Sequence, residues 1–230
     1  MPKIAGSVMS FFIMIFCVCA LNVYAAGSSA EVEDVDQVFY EKDFSGLIGM
    51  RGFSDALLED HFALYRGYVK NSNKLMSKLR RMSVEGEAGT PEYAELKRRL
   101  GWEINGMRLH EYYFENLGGS GNIEIEGPLY NAIRQNFGSF EQWRQDFAAT
   151  GSMRGIGWVI LFRDRETNTL INAWINEHET GYLAGYDPIL VMDVFEHAYM
   201  TDYRLDRPSY IEAFFKNVAW GAAETRFLSE

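Results

Sequence analysis

The stretch DVFEHAY (193–199) places an aspartate and a histidine four residues apart among apolar and aromatic neighbours. An unpaired buried carboxylate is costly, so Asp193 and Glu196 each need a partner, either a cation or a metal ion. The apolar run PILVMD (188–193) comes directly before it and predicts a short strand that delivers Asp193 at its C-terminal end. The fold therefore has to bring Asp193 and His197 to a polar partner inside the protein.

Two long helical patterns precede this stretch. The first, FSDALLEDHFALYRGYVKNSNKLMSKLRRM, has Ser54 as its candidate N-cap, and the second follows Pro91 in TPEYAELKRRLGWEINGMRLHEYYFENL and stops at Gly118. The short polar linker VEGEAGTP joins them, which predicts an antiparallel helical hairpin with His61 in one arm and His110 in the other. The predicted apolar face of the first helix consists of Leu57, Leu58, His61, Leu64, Tyr65, Tyr68, Leu75 and Leu79.

The pattern changes after GGSGNIEIEG (118–127). Shorter helices are predicted in GPLYNAIRQNF and SFEQWRQDFAAT, the second capped by Ser139, and strands in GWVILFRD, TLINAWINE and PILVMD. RPSYIEAFFKNVAWGAAETRFL predicts one closing helix. The fold class predicted is α+β, with an N-terminal helical hairpin domain (27–120) followed by a C-terminal α+β domain (121–230) that contains a small three-stranded antiparallel sheet.

The first 26 residues have the organisation of a signal peptide. One early lysine precedes the apolar run SVMSFFIMIFCVCAL, and small residues favour cleavage at Ala25 or Ala26. A retained membrane anchor is the alternative, but the run is short for a full span. We predict a periplasmic or secreted protein with no membrane contact after cleavage. Cys17 and Cys19, the two cysteines of the chain, fall within this segment, so the mature protein offers no thiol ligand or thiol nucleophile.

The charge balance limits the partners that the protein can have. The formal net charge is −10 at pH 7, which argues against a general nucleic-acid binder because phosphate contacts need clustered lysine and arginine. An anionic substrate would need a local positive patch to overcome the overall field.

The mature chain has four histidines, His61, His110, His178 and His197. Each one alone is more simply explained as a satisfied core or surface residue. Together with Asp193, however, the imidazoles of the two hairpin helices and of the segment after the strand form a nitrogen and oxygen donor set that suits iron, manganese or zinc. A zinc hydrolase would also need a general base beside its metal-bound water.

Three segments resemble the iron/manganese superoxide dismutase family. DVFEHAYMTDYRLDRPSYIEAFF is similar to its C-terminal signature D-x-W-E-H-A-Y, NGMRLHEYYF to the segment carrying its second ligand, and GIGWVILF to its G-S-G-W strand. The resemblance runs from Asp55 to Phe227. It implies an antioxidant enzyme that disproportionates superoxide to O2 and H2O2 at one iron or manganese ion per subunit, and of the two metals we favour iron.

The resemblance also implies a ligand set. The family's four metal ligands correspond to His61, His110, Asp193 and His197. Glu196 corresponds to a glutamate that reaches across a two-fold axis to the ligand histidine of the other subunit, which implies a homodimer through the Glu196/His197 region. The alternative for Glu196 is a solvated loop acid.

Residues around the metal in the family guide two further predictions. Where the family can place a glutamine, four residues before the second ligand, this chain has Gly106, so His178 is predicted to fill that role, with Glu177 as the competing side chain and an exposed loop histidine as the alternative. Tyr68 follows His61 by seven residues, whereas the family spacing is eight. A seven-residue step returns almost to the same helix face, so Tyr68 is predicted to face the site; a plain core tyrosine is the alternative.

Three positions concern the substrate gateway. Tyr65 stands where the family commonly has a second histidine, and Met200 where it has a tyrosine that bonds that histidine in the partner subunit. This joint change predicts an altered gateway built from Tyr65 and Tyr68. It also leaves open a metal-binding relative with little dismutase activity, acting in metal handling, as a slow peroxidase or as an interaction scaffold.

Arg207 corresponds to an arginine near the family's entrance funnel, where it would attract an anion such as superoxide. As an alternative, Arg207 could pair with Asp202 or Asp206.

Overall fold

A computed structural model describes residues 38–229. The predicted signal peptide and its cleavage site lie outside these residues. The described part contains seven α-helices and three strands, which are α1 (Asp55–Val84), α2 (Pro91–Glu115), α3 (Pro128–Phe137), α4 (Phe140–Gly151), β1 (Gly157–Asp164), β2 (Leu170–Asn176), β3 (Tyr186–Asp193), α5 (Met200–Tyr203), α6 (Arg207–Lys216) and α7 (Trp220–Leu228). None of the helices in this part is both long and apolar enough to cross a membrane.

The helical hairpin begins where the sequence predicts. The Ser54 side chain accepts a hydrogen bond from the Leu57 backbone N–H, and Thr90 caps α2 in the same way ahead of Pro91. Such caps satisfy backbone donors that the first helical turn leaves unpaired. The predicted apolar face is wrong at one residue. Leu64 is 42% exposed, because it lies at the edge of the apolar stripe that α1 turns toward α2.

The three strands form one antiparallel sheet in the order β2-β1-β3. β1 is central and almost fully buried, and its register sets Trp158 opposite Asp193. Asp193 is therefore the last residue of β3, and the chain turns there into a short 3₁₀ helix, Glu196–Ala198. The predicted α+β class with its small antiparallel sheet is confirmed. The division at residues 120 and 121 stays a prediction.

The closing helix differs from the prediction, since it is broken into α6 and α7 at residues 217–219. There the backbone bonds to the loop after α2 instead of continuing a helix: the Gly119 N–H donates to the Asn217 carbonyl, and the Ala219 N–H donates to the Asn116 carbonyl. A side chain on Gly119 would lie 2.3 Å from the Val218 carbonyl oxygen, so only glycine permits this approach.

Candidate metal centre

Four side chains from three parts of the fold meet at one buried point. His61 comes from α1, His110 from α2, Asp193 from the end of β3, and His197 from the 3₁₀ helix that follows. One ligand atom from each lies within 4.8 Å of all the others. Asp193 Oδ2 is 3.2 Å from Nε2 of His61 and of His197, and 3.7 Å from Nε2 of His110. This spacing is close to that of donors around a single ion.

The protonation states suit a cation. Burial lowers the pKa of His61, although the Asp193 carboxylate acts in the opposite direction, and burial lowers the pKa of His110 still further. Burial alone would raise the pKa of Asp193, but the neighbouring His197 and His61 outweigh it and hold that pKa well below its ordinary value. The cluster therefore contains one carboxylate together with the neutral imidazoles of His61 and His110, the forms in which these groups bind metals.

Two orientations show that the cluster fits a metal ion. The Nδ1–H of His110 donates to the Gly106 carbonyl at 2.5 Å, so its Nε2 carries a lone pair, and that Nε2 is buried without a hydrogen-bond partner. Asp193 Oδ1 accepts the Phe195 backbone N–H, which leaves Oδ2 for the three imidazoles. A lone pair that no protein group satisfies, aimed at a carboxylate, is explained by a cation between them.

Aromatic side chains enclose the cluster. Phe114 packs against His61, and Phe195 stacks on His197. Behind Asp193, the Tyr210 hydroxyl donates to its backbone carbonyl. These contacts surround the cluster with aromatic rings and hold the backbone at the end of β3.

His178 lies beside the cluster with a defined tautomer. It is fully buried at the tip of the tight loop after β2. The Trp158 Nε1–H donates to its Nδ1 at 3.0 Å, and because an indole can only donate, the proton of a neutral His178 is on Nε2. That Nε2 is 2.7 Å from the Tyr68 hydroxyl oxygen, which accepts the bond and keeps its own hydrogen free to donate elsewhere. Burial lowers the pKa of His178 to about 4, so the neutral form prevails.

Tyr68 faces the cluster, as the seven-residue spacing in an uninterrupted α1 predicts. Its ring lies 5.2 Å from that of His110 and rests on Gly106, where a Cβ atom would lie only 2.6 Å from the ring carbons. Burial raises the pKa of Tyr68 to about 12, so its hydroxyl remains protonated.

Two residues near His178 were missed by the sequence reasoning. The Trp102 ring packs edge-on against the imidazole at 4.7 Å, and the Asn105 side chain donates to the His178 carbonyl. A signal existed, since Trp102 precedes Gly106 by one helical turn and so lies on the same face of α2.

Tyr65 makes its polar contacts with the segment before α1 and with α2. Its hydroxyl accepts the Lys42 backbone N–H at 3.0 Å and donates to the Glu111 carboxylate at 3.1 Å, and its ring packs on Phe44. This buried tyrosine ties the segment before α1 to the hairpin. The gateway role of Tyr65 suggested by the sequence stays a prediction.

The Arg207 guanidinium faces the loop before β1. It donates to the carbonyls of Gly151, Met153 and Gly155 and to the Tyr199 hydroxyl. Arg207 does not form the alternative ion pair with Asp206, because the Asp206 side chain caps α6.

Asp202, the other aspartate considered for Arg207, instead accepts hydrogen bonds from Ser54. The Glu196 side chain is exposed beside His197 and makes no hydrogen bond or ion pair within residues 38–229.

Comparisons with known proteins agree with this geometry. The family model for the C-terminal domain of iron/manganese superoxide dismutases matches residues 125–226. A relative from Cupriavidus metallidurans named superoxide dismutase (Fe) is 36% identical over 183 residues, which cover 77% of this chain and 90% of the relative. Superoxide dismutase (Fe) from Saccharolobus solfataricus is 35% identical, with 70% and 79% covered, and superoxide dismutase (Mn) 2 from Haloferax volcanii is 34% identical, with 73% and 82% covered.

The fold and the cluster thus define a metal-binding protein with three histidines and one aspartate as its donor set. The chain belongs to the iron/manganese superoxide dismutase family.

Proposed function

We propose that this protein is a superoxide dismutase that converts two superoxide anions and two protons into O2 and H2O2. The observation that carries the proposal is the convergence of His61, His110, Asp193 and His197 on one buried point, with the lone pair of His110 Nε2 otherwise unsatisfied. Iron or manganese held by these four side chains would supply the one-electron redox couple that oxidises one superoxide and reduces the next.

The residues beside the cluster would manage protons and position the substrate. The Tyr68 hydroxyl accepts from His178, so its own hydrogen can be donated to an oxygen of the reduced product. Trp158 fixes the tautomer of His178 on which this orientation depends. Phe195 stacks on His178, with the ring centroids 4.8 Å apart, and so supports the imidazole from the other side.

Within this proposal we favour iron as the metal. Relatives named for iron and relatives named for manganese are both about one third identical to this chain, and the ligands of the cluster suit either ion. Loading the metal-free protein separately with each ion and comparing the rate per bound metal decides between them.

Export and dimer formation are also part of the proposal. The lysine, apolar run and small residues of segment 1–26 support cleavage at Ala25 or Ala26 and a periplasmic or secreted location. Mass spectrometry of the mature N-terminus tests this.

The exposed Glu196 and the 41% exposed Met200 support a homodimer through the Glu196/His197 region, which light scattering tests.

The decisive experiment is pulse radiolysis of superoxide decay with metal-analysed protein. We expect activity in proportion to about one bound metal per chain, far above that of the free ion. The positions of Tyr65 and Met200 favour a second candidate, a metal-binding relative with little dismutation. Full metal content with decay no faster than that of the free metal would favour this second candidate.

A further inference from the structure

Two buried polar atoms between α1 and α2 have no hydrogen-bond partner within residues 38–229. They are Ser72 Oγ, in a side chain with no exposure, and Glu103 Oε2, in a residue that is 5% exposed. A buried polar atom without a partner costs about 1–3 kcal/mol, and proteins commonly remove this cost with an internal water. The metal explains the similar case of His110 Nε2, but not these two.

The register of the hairpin places the two atoms at one level. The Tyr68 ring rests on Gly106, which fixes where the antiparallel helices meet. Ser72 follows Tyr68 by four residues and Glu103 precedes Gly106 by three, so both lie one helical turn further out in the same direction. Tyr68, Ser72 and Glu103 thus form a polar strip inside an otherwise apolar helix interface.

This strip reaches the surface through Arg99. Its Nε donates to Glu103 Oε1 at 2.8 Å, and its side chain is 53% exposed, whereas that of Glu103 is 6% exposed. The Arg99 guanidinium also lies 4.9 Å over Trp102, which packs against His178. One oxygen of Glu103 is therefore held at the protein edge while the other remains inside.

The proposed reaction requires a proton route to Tyr68. His178 cannot conduct protons inward from its far side, because its Nδ1 is occupied by the Trp158 N–H. Tyr65 is not available either, since its hydroxyl is committed to Glu111 and to the Lys42 backbone. Of the polar groups on the helix faces beside Tyr68, Ser72 and Glu103 remain unsatisfied.

We propose that Ser72 and Glu103 hold an internal water site between α1 and α2, and that this site carries protons from the surface near Arg99 toward Tyr68. Glu103 is then a positioning residue for the proposed dismutation, on which this inference rests. Burial raises the pKa of Tyr68 most, and the Asp193 and Glu103 carboxylates raise that pKa further.

The proton balance is simple. Each turnover consumes two protons, which leave hydronium or a buffer acid in solvent. An O–H bond breaks in that donor and an O–H bond forms on the peroxide product, while Glu103, Ser72 and Tyr68 return to their original protonation states. No oxidant or reductant is consumed along the route.

The test combines crystallography of the metal-free protein with kinetics of the metal-loaded protein. In a high-resolution structure we expect ordered water within hydrogen-bonding distance of Ser72 Oγ and Glu103 Oε2. In pulse radiolysis, Glu103→Gln is expected to lower kcat by about tenfold and to leave kcat/KM nearly unchanged, because proton supply limits turnover but not encounter. Glu95→Gln is the control: it makes the same charge change on the same helix at an exposed site and should leave both constants unchanged.

A second variant keeps the test decisive if Glu103→Gln does not fold. Ser72→Ala removes the hydroxyl with little change in volume and should lower kcat in the same way while raising the solvent deuterium isotope effect. A dry contact between the two side chains, or an active wild type whose kcat is unaltered in both variants, overturns the inference but leaves the proposed function standing. An inactive wild type overturns the proposed function, and the proton route with it, whether or not the crystal shows the water.

Discussion

Replacing Gly106 by alanine tests the packing that holds Tyr68 at the cluster. The added Cβ would lie 2.6 Å from two carbon atoms of the Tyr68 ring, whereas carbon atoms in contact are about 3.5–4.0 Å apart. The ring must therefore move by about 1 Å. Its hydroxyl, now 2.7 Å from His178 Nε2, would lose that hydrogen bond.

The structure supplies a matched control in Gly67→Ala. Gly67 lies inside α1, and a Cβ atom built there meets nothing within 4 Å. Alanine is better than glycine in a helix interior by about 0.8–1.0 kcal/mol, and both variants gain this amount. Overpacking at Gly106 costs about 1–3 kcal/mol, so Gly106→Ala should be less stable than Gly67→Ala by that difference.

Urea unfolding of the metal-free variants at one protein concentration measures the difference in stability, and pulse radiolysis per bound metal measures the activity. A displacement of about 1 Å at a reacting group can lower the rate by up to about 100-fold, so Gly106→Ala should lose at least about tenfold in kcat/KM while Gly67→Ala keeps full activity. Equal unfolding free energies in the two variants, or full activity in Gly106→Ala, would refute the packing argument.

Three further outcomes are expected. Burial lowers the pKa of His178 to about 4 from an ordinary value near 6.5, so as the pH falls the unfolded chain takes up a proton before the folded protein does. The free energy of unfolding of the metal-free protein should therefore fall as the pH drops from 6.5 to 4, by about 3 kcal/mol from this residue. Urea titrations across that range should show a correspondingly smaller fall in His178→Gln. Asp193→Asn keeps the side-chain volume but removes the negative charge, and equilibrium dialysis should show metal affinity reduced at least about tenfold; unchanged affinity would mean that the carboxylate is not a ligand. Tyr65→Phe removes the hydrogen-bond partner of Glu111 Oε1 and of the Lys42 N–H, so it should cost about 1–3 kcal/mol in unfolding free energy without changing metal content, and a loss of metal would contradict the anchoring role.

Local chemistry made much of the fold predictable. Ser54, Thr90 and Pro91 determine where the hairpin helices begin, and the apolar strand runs specify the sheet, because caps and strand patterns act over a few residues. The break between α6 and α7 could not be predicted in this way. Its cause is a set of backbone bonds between Ala219 and Asn116 and their neighbours, about one hundred residues apart in the chain.

The candidate site, like the fold, could be predicted only where residue types and local patterns determine it. The cluster residues and His178 could be identified because the residue types and the resemblance single them out. The positions of Tyr65 and Arg207 could not, since each depends on how a distant segment folds back: the segment around Lys42 receives the Tyr65 hydroxyl, and the loop around Met153 receives the guanidinium. The unsatisfied pair at Ser72 and Glu103 likewise becomes visible only when the hairpin register is known.

Anomalous diffraction at the iron and manganese absorption edges tests the central claim most directly. Crystals of the purified protein should show one peak about 2.0–2.2 Å from Nε2 of the three clustered histidines and from Asp193 Oδ2. A peak elsewhere, or two of these four side chains turned away from one another with no cation between them, would contradict the account.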